Sequence, residues 1–344
     1  MKSMPTIAGL AAALATALVL AGCSTPAPPP PPPPPAPPAP PPLSLSIGLL
    51  QNAAVYQAYV DKAGAISPDF KSGADVAQSL KFGDSYDPAQ LLRGEIAFAA
   101  VAALQDPNFV ANVRAFAADP ASRQAVSASL LHDPGYVVAI TGSDSAAGLV
   151  MAALMQRGQR MMIDGAAVKQ AAYAIQHQDW SKQTVLDRDQ RLADAKLGGG
   201  QMSSIDDVAR LQSAVSGATP LPVSAPPATP PYSPVVIRGL AVAALAALGE
   251  AGDENAERVA PLLDEPSGAR CLNMAKLNLY QCLAVARPHY EDVFCLGQHV
   301  LADTGQCLMI DAGAPIPTVE PLPVSKTETA YAPKPAGKKR HKRT

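Results

Sequence analysis

Cys271, Cys282, Cys295 and Cys307 stand 11, 13 and 12 positions apart. Thiols in such a series can bind a metal, run redox chemistry or form disulfides. Structural zinc sites usually draw ligands in pairs about two to four residues apart, and the four cysteines contain none, with His289 and His299 the further candidate ligands. No Cys-x-x-Cys pair is present for redox catalysis. Disulfides remain. Leu272, Ala275, Leu279 and Leu283 repeat at helical spacing, which puts Cys271 and Cys282 on one face of a helix over 268–286. They would stand about 16 Å apart along its axis. A disulfide needs Cα atoms within about 7 Å, so these two cannot join. After Pro288 a second helix is outlined by Tyr290, Val293, Phe294, Gly297, Val300 and Leu301. An antiparallel hairpin would pair Cys282 with Cys295 near the turn and Cys271 with Cys307 at the open end. The crossed pairing would require a register shift or a steep helix crossing.

The disulfide reading depends on compartment, and the N-terminus speaks to that. Met1-Lys2 precedes an apolar run from Ile7 to Leu20, the arrangement of a secretory signal peptide. The run is about 14 residues, whereas a spanning helix needs about 20. It closes in Leu20-Ala21-Gly22-Cys23, which resembles the lipobox of bacterial lipoproteins. That resemblance implies cleavage before Cys23, lipid on its thiol and acylation of the new amino end. Ser24 in place of Asp implies sorting to the outer membrane, facing the periplasm. Export in turn favours paired cysteines.

Other residues suggest chemistry more weakly. Phe82-Gly83-Asp84-Ser85-Tyr86-Asp87 resembles the first block of the GDSL hydrolases, which implies Ser85 as nucleophile. That family also carries a preceding buried strand and a late Asp-x-x-His pair. The chain departs on both counts. His132, His177, His289 or His299 would have to supply the base, since a serine without one is inert. Met151, Met155, Met161 and Met162 lie near helical spacing and read as core filler rather than copper ligands. Gly198-Gly199-Gly200 lacks the strand and Lys-Ser/Thr of a phosphate loop and reads as a joint. No cofactor is expected.

The elements that would carry these residues are helices. Aromatics make up 5% of the 344 residues and Ala and Leu dominate the apolar positions, which disfavours a sheet. Asp87-Pro88, Asp106-Pro107 and Asp119-Pro120 each place a capping carboxylate before a proline suited to the first helical position. They predict helices over 88–105, 107–117 and 120–131. Further helices are expected from 143 to 163, broken at Asp164-Gly165 and resumed to 180, then over 182–196, 204–215, 235–248 and 254–264. The 36 prolines concentrate in 26–42, 219–234 and 315–335, which cannot build cores. The first, at about 3.1 Å per residue, makes a stalk of roughly 50 Å.

The sequence therefore divides into a signal peptide (1–22), a lipidated stalk (23–42) and a bundle-like helical domain (43–216). A disordered linker (217–234), a smaller stapled helical domain (235–312) and a disordered basic tail (313–344) follow. From Lys326 onward seven basic residues face only Glu328, leaving the rest at −8 for a net charge of −2. Lys338, Lys339, Arg340, Lys342 and Arg343 are its focus and suit envelope anions, either peptidoglycan, anionic lipid or lipopolysaccharide, rather than nucleic acid. The expectation is an all-α, lipid-anchored, non-enzymatic scaffold, assembly or adaptor protein with an unknown protein partner. The alternatives are a Ser85 hydrolase and a carrier or sensor of a small apolar ligand.

Overall fold

The computed structural model describes residues 41–197 and 202–318, and these form helices, turns and coil without a β-strand, apart from one isolated bridge between Thr184 and Pro288. The helices are α1 (Ile47–Ala63), α2 (Gly73–Gly83), α3 (Pro88–Ala103), α4 (Pro107–Phe116), α5 (Pro120–His132), α6 (Ser143–Ile175) and α7 (Arg188–Leu197). There follow α8 (Ile205–Val215), α9 (Pro234–Ala247), α10 (Ala256–Val259), α11 (Pro266–Val285), α12 (His289–Cys295) and α13 (Asp303–Asp311). A π-helix, Leu296–Ala302, joins α12 to α13 without a break. The three Asp-Pro starts work as the residue types require. Asp87 accepts from Gln90 N, Asp106 from Asn108 N and Phe109 N, and Asp119 from Ala121 N and Ser122 N.

The two helical stretches do not form separate domains. α3 is buried from Gly94 to Ala103 and packs against α1, α6, α9 and α11. α9, buried throughout from Gly239 to Ala247, comes from the second stretch and lies directly on α3. Small side chains make this possible, because a Cβ on Gly239 would lie 2.5 Å from that of Ala99. The expected linker is a strap on the body. Leu221 N donates to Gln105 Oε1 (3.0 Å) and Ala228 N to Asp144 O (2.9 Å), while Leu221, Val223 and Ala228 pack on the core. Its prolines exclude helix but leave apolar residues free to dock. Residues 41–46 are also laid against α9: Ser44 N donates to Ala246 O and Ser46 N to Ala251 O.

α6 runs unbroken through Asp164-Gly165. There Asp164 pairs with Arg160, and Gly165 serves close packing rather than termination. A Cβ on Gly158 would lie 2.9 Å from Gly305 O, and one on Gly165 would lie 2.8 Å from Gly297 O. The two helices thus touch backbone to backbone and run antiparallel. The glycines are seven residues apart on α6 but eight apart on the partner. The π-helix lies within that longer interval and takes up the extra residue. The predicted 182–196 helix starts only at Arg188, because Val185 N bonds Arg287 O and His289 N bonds Gln183 O, tying 183–185 alongside 287–289. The predicted 254–264 helix is interrupted by 3-10 turns at Asp253–Asn255 and Ala260–Leu263. Among the described residues no single helix is long and apolar enough to cross a membrane; α3 and α4 would be so only together, and they meet at 90°.

Candidate functional site

Where ordinary core would continue, α11 instead carries polar neighbours at both ends. The cysteines fix its partners: Cys282–Cys295 has Cα atoms 5.8 Å apart and Cys271–Cys307 5.7 Å apart. The inner bridge ties α12 to the C-terminal end of α11. The outer bridge ties α13 to its N-terminal end.

At the C-terminal end, α7 supplies two arginines to the last carbonyls of α11. Arg188 Nε donates to Ala286 O (3.1 Å) and Arg191 Nη2 to Leu283 O (2.7 Å). Cations suit that end of a helix. Arg191 Nη1 also pairs with Asp292 at the start of α12, the two side chains being 9% and 3% exposed. Burial pushes the Asp292 carboxyl up to about 6, against the pull of Arg191. Burial and Arg191 together hold His289 below the usual histidine range. Arg191, His289 and Asp292 line, with α2 and residues 183–187, an open groove of about 840 Å³, within the roughly 300–1,000 Å³ of small-molecule sites.

Asp84 lies in this groove at the C-cap of α2, 2% exposed. Its Oδ2 is buried and has no hydrogen-bond partner among the described residues. Burial and then Asp194 raise the carboxyl to about 7, with Lys276 and Lys81 opposing. Lys276, reaching from α11, donates to Asp84 O and Tyr86 O and lies over the Tyr86 ring. Burial lowers its pKa, Asp84 and Asp87 opposing. α2 and α11 thus meet at one loop, 84–87.

Ser85 is in that loop, yet it does not line the groove. Its hydroxyl donates to Phe82 O (2.6 Å), a bond that closes the end of α2. The histidines weighed as its base are occupied or placed elsewhere. His299 Nδ1 is 2.7 Å from Asp303 Oδ2, the His289 ring lies beside Trp180, His132 ends α5 and His177 is exposed after α6. Cys23 and the basic cluster Lys338, Lys339, Arg340, Lys342 and Arg343 lie outside the described residues, as does Gly198-Gly199-Gly200.

At the other end of α11 a second cluster is closed. Glu95 of α3 is 0% exposed, with Asp311 and Glu265 each at 5%. Glu265 caps α11 through Ser267 N and Gly268 N. Burial, then Asp311 and Glu265, holds Glu95 well above the carboxylate range; burial and Glu265 raise Asp311 to about 7. Glu95 hydrogen-bonds Asp311, and as a carboxylate neither of its oxygens would find a donor among the described residues. A proton on Glu95 supplies one. Among the described residues no group of three or more His, Cys, Asp or Glu is placed to hold a metal ion. An apolar pocket of about 260 Å³ beside Cys282–Cys295 is smaller than most ligand sites.

Reading the sequence alone found the cysteine pairs but missed Asp84, Arg191, Lys276 and Asp292 as a group. Arg191 and Asp292 are 101 residues apart, and the Gly83-Asp84-Ser85 turn points to its serine rather than to Asp84. Comparison with protein-family models, curated proteins and solved structures found no match for the chain.

Proposed function

We propose that this chain is a lipid-anchored protein of the bacterial envelope, held by Cys23 and serving there as a non-enzymatic scaffold, assembly or adaptor component. The observation that supports this reading is Leu20-Ala21-Gly22-Cys23 at the end of an apolar run of signal-peptide length. Two or three acyl chains at one residue give stable anchorage, where one gives only marginal binding. The polyproline stretch 26–42 then sets the body off the outer membrane, on its periplasmic face. The basic cluster Lys338–Arg343 offers a second, charge-based contact with peptidoglycan or anionic lipid. Cys23→Ser tests the anchor: lipid labelling should vanish and the protein should move to the soluble periplasmic fraction. A variant that stays with salt-washed membranes overturns it.

A further inference from the structure

Asp84 is badly placed for stability, and in three independent ways. It is a carboxyl at the C-cap of α2, where the helix macrodipole already concentrates negative charge. It is buried, at 2% exposure. Its Oδ2 has no donor among the described residues. Lys276, the nearest cation, spends its ammonium on the backbone carbonyls of Asp84 and Tyr86. Residues that break local rules in this manner are the ones to examine for a ligand.

The groove around it indicates which ligand. Among the described residues Asp187 and Asp194 line it with Asp84, against one unpaired cation, Lys81, since Arg191 and Asp292 neutralise each other. Along the same groove α2 contributes Ala74, Ala77 and Leu80 at helical spacing, and Leu186, 93% exposed, also lines it. An apolar wall with a carboxylate floor fits an aliphatic stem ending in a hydrogen-bond-donating cation. Among the described residues no Phe, Tyr or Trp lines the groove, so it lacks the cage that selects quaternary ammonium. Its volume of about 840 Å³ exceeds one side chain.

We propose that this groove binds a short peptide through a primary alkylammonium side chain, which donates to Asp84 Oδ2 at the floor and is supported by Asp194. This site is independent of the anchor at Cys23, so it stands or falls separately. The test is calorimetric titration of the full chain with end-blocked Ala-Lys-Ala, the same peptide with norleucine or trimethyl-lysine in place of lysine, and cadaverine. Lysine peptide should bind at least tenfold more tightly than each of the others. Asp84→Asn should weaken it tenfold or more, as losing a charged hydrogen bond does, and Asp194→Asn several-fold. A melting temperature for Asp84→Asn no lower than that of the parent shows that the loss is not unfolding; Asp194, on the more open α7, gives a second reading if Asp84→Asn fails to fold. Equal binding of the norleucine peptide, or no effect of either variant, overturns the proposal. Equal binding of cadaverine overturns its peptide half and assigns the groove to free diamines.

Discussion

The two ends of α11 solve the same physical problem with opposite outcomes. At the N-terminal end Glu95, Glu265 and Asp311 are sealed among α3, α11 and α13, and a proton on Glu95 gives it a donor towards Asp311. At the C-terminal end Asp84 and the Arg191–Asp292 pair border an open groove. Burial raises the carboxyl pKa at both ends. A closed cluster can answer a change in pH only by changing stability, whereas an open one can also be answered by a ligand. Each end has its own staple: Cys271–Cys307 beside the closed cluster and Cys282–Cys295 beside the groove.

The largest effect should come from breaking the ion pair at the groove. Arg191→Met leaves Asp292 buried without its partner and removes a donor from the end of α11, so chemical denaturation should show a loss of about 3–5 kcal/mol. A loss below 1 kcal/mol would mean that the pair is solvated and that the groove end is not built on it. The staples come next. Opening Cys271–Cys307, a 36-residue separation, with Ser at both positions should cost about 4 kcal/mol on the chain-entropy model. Opening Cys282–Cys295, separated by 13, should cost about 3. Because α3 and α9 share one core, each variant should still melt in one transition. Two transitions would restore the division into domains 43–216 and 235–312.

Protonation distinguishes the ends more finely. A carboxyl whose folded pKa is raised binds its proton more tightly folded than unfolded, so the folded state is favoured at low pH. Stability should therefore fall as pH rises from about 4 towards 7 and beyond, each such group contributing up to about 1.4 kcal/mol per pH unit. Glu95→Gln keeps the hydrogen bond to Asp311 without the proton. It should be near neutral at pH 5 and stabilising by about 1–3 kcal/mol at pH 8 in thermal melts. Equal effects at both pH values would show that Glu95 does not carry the proton. The smallest effect is a control between the ends: Asp87→Ala removes the cap of the helix that bears Glu95. It should cost about 1 kcal/mol at every pH. A pH-dependent cost would couple the loop at the groove to the closed cluster.

What the sequence revealed follows from how far its signals reach. Asp87, Asp106 and Asp119 act on amides two or three residues away, so each helix start could be read directly. The cysteine pairing followed from the rise of one helix and the turn at Pro288. The groove was illegible for the opposite reason: Asp84, Arg191, Lys276 and Asp292 lie on four elements, and no local pattern marks a side chain whose meaning is set by burial. The strap misled because proline content reports what a backbone cannot become, not what it rests on. At Asp164-Gly165 the glycine likewise read as a break, although its role is to admit another backbone.

The attachment of residues 41–46 has a mechanical consequence. Arg114 Nη2 holds Pro41 O (2.6 Å), Ser46 N bonds Ala251 O and Ile47 N bonds Asp253 Oδ1, so the chain enters the body along α9 and the turn after it. Tension on the N-terminal side is delivered to the buried helix α9 through Ser44, to α4 through Arg114, and to the turn after α9 through Ser46 and Ile47. Several bonds then share the load, and the body should yield as a unit instead of unravelling from its first helix.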